Sequence, residues 1–274
     1  MLIAEQWADC GVVYAAAGAK YVRECLSSLE SLRRVCAWVS VTIFTDDVRG
    51  FPLGELEYCE VRKLTDAADG FGFKIAAMRG SPYGRSLFLD TDTRVLGNPE
   101  ILFALLDRFD LAVAMETYRA AAVDGVPEGF PEFNTGVVVF RRAEVVTSFL
   151  SDWEKCYSRR RSEKVPPKHD QPSFREVLYS SDVRLVPLPS EWNFCVTHPA
   201  ILNAGALIQI LHSHEPERSE QRVLRKVAEQ SRVFLPGVGE LKPSRVTVFD
   251  RRWNFWFRGV LWPLRFLGLF FGKK

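Results

Sequence analysis

Residues 85–95 carry the stretch that decides the fold, RSLFLDTDTRV, in which an apolar run ends in two acids separated by one residue. Side chains alternate along a strand, so Asp90 and Asp92 are predicted to leave the same side of the chain while Thr91 points away. Two carboxylates held this close repel each other, and a hard divalent cation such as Mg²⁺ or Mn²⁺ removes that repulsion. The pair alone is equally compatible with a metal site and with an ordinary capped strand end.

Strand and helix patterns alternate on both sides of this stretch. Apolar or β-branched runs predict strands, and apolar residues at helical spacing predict the helices that follow them. The alternation is typical of an α/β, Rossmann-like, mainly parallel sheet flanked by helices, which binds ligands beyond the carboxyl ends of its strands. The predicted strands lie at 11–18, 39–47, 86–93, 111–116, 134–140, 182–189 and 206–214, and the main helices at 20–34, 70–80, 98–109, 142–158 and 216–230.

Composition bounds the function classes. A chain of 274 residues that is 47% hydrophobic fits one large domain. Residues 241–274 hold eight Lys/Arg and one Asp, or +7, so residues 1–240 sum to −5 within the net +2, which argues against a nucleic-acid-binding fold. Six widely spaced cysteines indicate free thiols in a reducing cytosol rather than a structural zinc site. The N-terminus shows neither a signal-peptide pattern nor an anchor.

Three further motifs follow predicted strands or precede a predicted helix. The run ALIQILHSH delivers His212 at a strand end, with His214 two residues on; an imidazole added to two carboxylates suits Mn²⁺, although a lone His is more often an ordinary hydrogen-bonded residue. Asn134-Thr135-Gly136 opens an apolar strand and is either a simple turn or a polar edge that approaches a sugar. Asp170-Gln171 precedes a helix, where Asp170 alone is better interpreted as its N-cap.

Taken together and in order, these motifs resemble one family. The series GVVYAAAGAKYV, Lys74, SLFLDTDTRV, FNTGVVVF, HDQPSF and ILHSH is similar to the GT-A nucleotide-diphospho-sugar glycosyltransferases, in particular the retaining glycogenin-like and bacterial lipopolysaccharide galactosyltransferase-like family. The likeness covers about residues 11–215. It implies transfer of a hexose from a UDP-sugar to a saccharide or lipid-linked saccharide with retention, using Mn²⁺ or Mg²⁺.

The resemblance also implies roles for individual residues. Metal ligation falls to Asp90, Asp92 and His212, with Asp90 also reaching the ribose. Donor binding falls to Tyr14, Ala15 and Ala16 at the uracil and to Lys74 near the phosphate or ribose, while Asn134 and Gly136 face the sugar or acceptor. Asp170 binds donor-sugar hydroxyls and Gln171 lies on the reacting face of the anomeric carbon.

The chain departs from the family pattern at two places. HSHEPERS replaces the ending that carries a phosphate-binding Lys, so Arg218 or Arg222 is the candidate substitute, and Ala-Ala-Ala-Gly replaces an early Asp, so nucleotide contacts there fall mainly to the backbone. Two other classes stay open. A metal-dependent nucleotidyltransferase normally opens with a Gly-rich phosphate loop, which YAAAGAKY does not provide, and a non-catalytic GT-A-like binding protein leaves the three candidate ligands unexplained.

The predicted organisation is a single GT-A domain at 1–215, a charged helix and connection at 216–249, and an amphipathic tail at 250–274. In the tail, Arg251, Arg258 and Arg265 recur every seven residues among tryptophans and other apolar residues. This pattern favours peripheral attachment to the cytoplasmic membrane face over a helix packed on the domain, and Pro263 with two internal arginines argues against a transmembrane span.

Overall fold

The protein is described by a computed structural model. It divides into two compact units, Met1–Val196 with Ile208–Arg225, and Thr197–Leu207 with Lys226–Lys274. The residues that the structure describes are 9–52, 56–64, 70–117, 122–163, 169–195, 198, 200–202, 206–213, 232–235 and 239–241.

Helices and strands alternate through the first unit, as the sequence predicts. The α-helices are α1 (Ala19–Val35), α2 (Phe71–Arg79), α3 (Glu144–Arg161) and α4 (Gln171–Tyr179), and 3₁₀ helices span Val48–Gly50, Pro99–Asp107 and Ser190–Trp192. The strands are β1 (Cys10–Ala16), β2 (Ser40–Thr45), β3 (Cys59–Lys63), β4 (Arg85–Leu89), β5 (Thr93–Val95), β6 (Leu111–Met115), β7 (Phe133–Arg141), β8 (Leu185–Leu188), β9 (Phe194–Cys195), β10 (Ala200–Leu202), β11 (Ile210–His212), β12 (Arg232–Leu235) and β13 (Gly239–Leu241).

Seven strands form the central sheet, in the order β3-β2-β1-β4-β7-β6-β8. Strand β7 runs antiparallel to both of its neighbours, and every other pair in this sheet is parallel. The mainly parallel sheet predicted from the sequence is therefore confirmed. Because β7 is reversed, its first residues lie beside the carboxyl ends of β4 and β6, so the edge where a parallel sheet binds ligands also receives the start of β7.

Both faces of the central sheet are covered, because alternate residues of its strands enter two different apolar clusters. Val12 and Tyr14 of β1 pack with Leu29 of α1 in one cluster. Val13 of the same strand packs with Ile75 of α2 and with residues of α3 and α4 in the other. Because helices cover both faces of the sheet, residues on both sides of each strand are buried, and the strand sequences are therefore nearly unbroken apolar runs.

Two small sheets lie outside the central one. Strand β11 pairs antiparallel with β5 and parallel with β9 in the first unit. In the second unit, β12 pairs antiparallel with β10 and β13. Strands β12 and β13 fall in the segment predicted as a connection, where the sequence analysis expected no strands.

Several local predictions have a clear outcome. Asn98 caps the next helix, its Oδ1 accepting a hydrogen bond from the Glu100 N–H at 3.1 Å, but that helix is 3₁₀ rather than α. The strand predicted over 206–214 is shorter and begins at Ile210. The predicted helix at 216–230, His214, and the tail at 250–274 lie outside the described residues. Among the helices that are described, none is long and apolar enough to cross a membrane.

Candidate metal centre

The two acids of the opening stretch lie in a turn between β4 and β5. The Thr93 N–H donates to the Asp90 carbonyl at 3.3 Å, which closes the turn, and β5 leaves the central sheet to pair with β11. The predicted strand alternation is therefore wrong in its mechanism, because Asp90 and Asp92 do not share one strand. The carboxylates nevertheless lie on one side, because a tight turn also brings residues two apart together.

Strand pairing brings the imidazole of His212 to these acids. Thr93 lies opposite His212 in the β5–β11 pair, and the Ser213 N–H donates to the Asp92 carbonyl at 3.0 Å. His212 Nε2 lies 3.2 Å from Asp92 Oδ1 and 3.9 Å from Asp90 Oδ2. One ligand atom from each of the three residues lies within 4.8 Å of the other two. Among the described residues, these three form the cluster of acidic, His or Cys side chains that could hold one metal ion.

These spacings suit a single cation. At a metal–oxygen distance of about 2.1 Å, octahedral ligands lie about 3.0 Å apart when adjacent and about 4.2 Å apart when opposite. His212 Nδ1 contacts Asn193 Oδ1 at 2.9 Å. Because an amide oxygen only accepts, Nδ1 carries the proton and Nε2 is oriented towards the carboxylates for ligation. Two carboxylates and one imidazole are a donor set that Mn²⁺ accepts readily.

Burial and neighbouring charges shift the pKa values of His212 and Asp90. Burial opposes a charge on His212, but the hydrogen bond and charge of Asp92 and the charge of Asp90 outweigh it and raise the pKa of His212 to about 9. Burial raises the pKa of Asp90, against the opposing charges of Lys74 and His212. Protonated His212 and Lys74 therefore supply the positive charge that the clustered acids require.

Lys74 on α2 links the turn that carries Asp90 and Asp92 to the start of α4. Its side chain is buried, with Nζ 3.5 Å from Asp90 Oδ1 and 3.2 Å from Asp170 Oδ2. It donates to Thr135 Oγ1 at 2.9 Å, and that hydroxyl donates to Asp170 Oδ2 at 2.7 Å. Asp170 therefore turns its carboxylate to Lys74 and Thr135 rather than to the first N–H groups of α4, so the N-cap interpretation is wrong.

Glu116 is a member of the site that the sequence analysis missed. It follows β6 directly, and its Oε2 accepts from Asn134 Nδ2 at 2.9 Å and from Gln171 Nε2 at 3.4 Å. The two amides predicted to face the sugar and the reacting carbon thus share one carboxylate. An acid that ends the apolar run LAVAM is the same signal that singled out Asp90, and it could have been used here.

Asn193 and Gly136 hold His212 in place. Asn193 Nδ2 donates to Asn134 Oδ1 at 3.0 Å while its own Oδ1 contacts the imidazole. A Cβ at Gly136 would lie 2.2 Å from His212 Cε1 and 3.0 Å from Asp90 Oδ2, so a larger residue does not fit there. Gly136, predicted to face the sugar or acceptor, therefore lies against two of the candidate metal ligands. No sequence signal marked Asn193.

The residues predicted to line the uracil site lie at the end of β1. The side chains of Tyr14 and Ala16 are buried, and Tyr14 Oη lies 3.0 Å from Ser28 Oγ in the core beneath α1. Ala15 alone of the three is partly exposed, because alternation turns it to the other face of the sheet. Side-chain contacts from Tyr14 and Ala16 to a surface ligand are thus excluded. The backbone then turns at Gly18, whose φ is +89° and whose N–H donates to Asp46 Oδ1 at 2.9 Å.

Comparison with solved structures places this fold among glycosyltransferases. Xyloside xylosyltransferase 1 of mouse superposes with a TM-score of 0.51 and 17% identity over 75% of this chain and 98% of its own. The glycosyltransferase GlyE of Streptococcus pneumoniae TIGR4 superposes with a TM-score of 0.51 and 18% identity over 74% of this chain and 54% of its own, so the chain spans about half of GlyE.

Sequence comparison adds no family assignment, since neither a protein-family model nor a curated protein matches the chain. The structural likeness, at identities this low, concerns the fold. The chain therefore has the GT-A glycosyltransferase fold that its motifs predicted.

Proposed function

We propose that this protein is a metal-dependent glycosyltransferase that moves a hexose from a UDP-sugar to a saccharide or lipid-linked saccharide, with retention of anomeric configuration. The observation that carries the proposal is the convergence of Asp90, Asp92 and His212 at the carboxyl end of β4, on a glycosyltransferase fold. Lys74 lies near the carboxylates of both Asp90 and Asp170. Gln171 is linked to His212 indirectly, through hydrogen bonds of Glu116, Asn134 and Asn193. A site of this kind combines cation binding with polar groups for a sugar.

The cation side of the site fits the chemistry of a departing diphosphate. Asp90, Asp92 and His212 Nε2 would hold Mn²⁺ or Mg²⁺, which neutralises, as a Lewis acid, the negative charge that gathers on the diphosphate as the anomeric bond breaks. Lys74 is assigned to the donor phosphate or ribose, and its pKa is raised because Asp170 and Asp90 outweigh the effect of burial. It therefore stays positively charged at the point where anionic groups meet.

The sugar side of the site is assigned to α4 and the start of β7. Asp170 is proposed to bind donor-sugar hydroxyls and Gln171 to give dipolar support to the anomeric carbon. Glu116 accepts from the amides of Asn134 and Gln171, which fixes the orientation of both side chains. The acceptor hydroxyl attacks from the face that the diphosphate leaves, its proton passing to the departing phosphate, and this same-face attack gives retention.

The nucleotide is assigned to the end of β1. The nucleotide would contact the partly exposed Ala15 and the backbone up to Gly18, whose N–H donates to Asp46. The acceptor is assigned to a membrane-bound saccharide because the segment 250–274, which lies outside the described residues, combines arginines with tryptophans. Such a segment binds the headgroup region of an anionic membrane, which would keep the enzyme at the cytoplasmic face.

The decisive experiment measures UDP binding by isothermal titration with and without Mn²⁺, followed by UDP-sugar hydrolysis. We expect Mn²⁺-dependent binding and hydrolysis, both lost in the Asp92→Asn variant. Asp152→Asn is the matched control, because Asp152 is an exposed acid on α3 that pairs with Lys155. Binding of UDP without hydrolysis would indicate a binding protein, and hydrolysis that persists in EDTA in the Asp92→Asn variant would refute the metal site.

Retention is tested on the product itself. Proton NMR of the glycoside product identifies its anomeric configuration, because a glycosidic bond does not mutarotate, and we expect the configuration of the donor. An inverted product would contradict the roles given to Asp170 and Gln171. A screen of UDP- and GDP-sugars for slow hydrolysis identifies the donor, since sugars that differ at one hydroxyl are distinguished by single pocket contacts.

A further inference from the structure

A chain of buried hydroxyl groups runs from Tyr14 in the core to the turn that carries Asp90 and Asp92. Tyr14 Oη lies 3.0 Å from Ser28 Oγ, Ser28 Oγ lies 2.8 Å from Thr93 Oγ1, and Thr93 Oγ1 donates to the Asp90 carbonyl at 2.8 Å. Tyr14, Ser28 and Thr93 are all fully buried. Buried hydroxyl groups destabilise a fold unless each is hydrogen-bonded. The hydrogen bonds that connect these three groups to the turn of Asp90 and Asp92 therefore indicate a structural role for them.

The direction of the chain follows from its last acceptor. A carbonyl oxygen only accepts, so the Thr93 proton is committed to Asp90. Thr93 Oγ1 then accepts from Ser28, and Ser28 Oγ accepts from Tyr14. Burial raises the pKa of Tyr14 far above its usual value, which keeps this phenol protonated as the first donor. All three hydrogen bonds therefore point towards the Asp90 carbonyl, and such aligned bonds strengthen one another.

The Asp90 peptide groups are fixed on both sides by this arrangement. The Asp90 N–H donates to the Gly136 carbonyl at 2.8 Å, and the Asp90 carbonyl accepts from both the N–H and the hydroxyl of Thr93. In the same turn, the buried Thr91 donates from its Oγ1 to Glu24 of α1 at 3.1 Å. Helix α1 thus contacts the turn at two places, through the hydroxyl of Ser28 and through the carboxylate of Glu24.

We propose that Thr93 and Ser28 are positioning residues, which hold the Asp90–Asp92 turn in the conformation that binds the cation. The inference rests on the metal site proposed above. Residues behind a metal ligand set its orientation, and their removal typically lowers metal affinity by about 10- to 100-fold. Because Thr93 acts through the backbone carbonyl of Asp90, we expect the lower end of this range.

The chain offers matched variants for the test. Thr93→Val keeps the shape of the side chain and removes the hydroxyl, whereas Thr93→Ser keeps the hydroxyl. Ser31→Ala is the control for a buried serine in the same helix, because Ser31 Oγ accepts from the Val95 N–H at 2.9 Å at the far end of β5 and donates to the Ser28 carbonyl. Neither of these hydrogen bonds involves Asp90.

The experiment titrates Mn²⁺ alone into each full-length variant and measures free Mn²⁺ by electron paramagnetic resonance, alongside urea unfolding. We expect the Mn²⁺ dissociation constant to rise about tenfold in Thr93→Val and several-fold in Ser28→Ala. It should stay within about twofold of the unaltered protein in Thr93→Ser and in Ser31→Ala, although Ser31→Ala is destabilised.

Two results would overturn the inference while leaving the metal site intact. One is a Thr93→Val variant that binds Mn²⁺ as the unaltered protein does, and the other is a Ser31→Ala variant that loses as much affinity as Thr93→Val. If the unaltered protein does not bind Mn²⁺ at all, the proposed function and this inference fail together. Should Thr93→Val not fold, Ser28→Ala against Ser31→Ala provides the same comparison.

Discussion

Replacing Lys74 by Met tests how the site balances its charges. The ammonium is buried between the carboxylates of Asp170, at 3.2 Å, and Asp90, at 3.5 Å. Removing one partner of a buried ion pair leaves an uncompensated charge and costs about 3–5 kcal/mol. The ammonium also lies 5.4 Å from the ring centroid of Phe71 and 5.7 Å from that of Phe88. Methionine removes this charge but keeps an unbranched stem of similar length, so the loss is mainly electrostatic. We therefore expect the unfolding free energy of Lys74→Met to fall by about 3–5 kcal/mol.

A double-mutant cycle separates charge balance from packing. Asp170→Asn removes the nearer carboxylate, so Lys74→Met combined with Asp170→Asn no longer buries that charge without a partner. We expect the double variant to be more stable than Lys74→Met alone, with a coupling energy of about 2 kcal/mol. The assay is urea unfolding of the metal-free protein followed by circular dichroism. Additive losses, with no coupling, would refute the charge-balance argument.

Lys155 provides the matched control for this cycle. It pairs with Asp152 at 2.8 Å, but both side chains are more than half exposed. Exposed pairs of this kind contribute about 0–1 kcal/mol because water already screens the two charges. We expect Lys155→Met to change the unfolding free energy by less than about 1 kcal/mol. A loss at Lys155 as large as that at Lys74 would mean that burial does not explain the effect.

Three further predictions address the metal site, the stability of the fold and the tail. Gly136→Ala should weaken Mn²⁺ binding at least about tenfold, because its Cβ would lie 2.2 Å from His212 Cε1, whereas Gly129→Ala, where a Cβ meets nothing within 4 Å, should leave binding unchanged; equal Mn²⁺ affinity of the two variants would contradict this role. Asp110 accepts hydrogen bonds from Arg184 and Arg141, and these hold its pKa well below the usual range. The stabilisation of the folded state by the Asp110 carboxylate is therefore complete above the unfolded-state pKa of about 3.9 and decreases as the pH falls below that value. Urea unfolding should show Asp110→Asn less stable by about 2 kcal/mol at pH 7, with the difference about 1 kcal/mol smaller at pH 3; a difference independent of pH would exclude the charged pair as its cause. The full chain should sediment with anionic liposomes, whereas a chain that ends at Phe249 should stay in the supernatant, and equal pelleting of the two would remove the support for a lipid-linked acceptor.

The sequence by itself determined the class of fold and the centre of the site. Alternating apolar runs and helical periodicities predicted the mainly parallel sheet, because they report which faces of local elements are buried. The acids at 90 and 92 and His212 were predicted as metal ligands because each follows an apolar strand. These predictions depend on short stretches of chain, and the physics behind them is local.

Only the tertiary structure decided how the site is assembled. The pairing of β7 with β4 and of β5 with β11 joins residues more than 40 positions apart in the chain, and no local pattern encodes such pairings. For the same reason Asn193 was missed, and the position of the Tyr14 side chain in the core beneath α1 was not predicted. Which side of a strand is covered by a helix, and which strand ends meet, depends on packing across the whole sheet rather than on the residues of one segment.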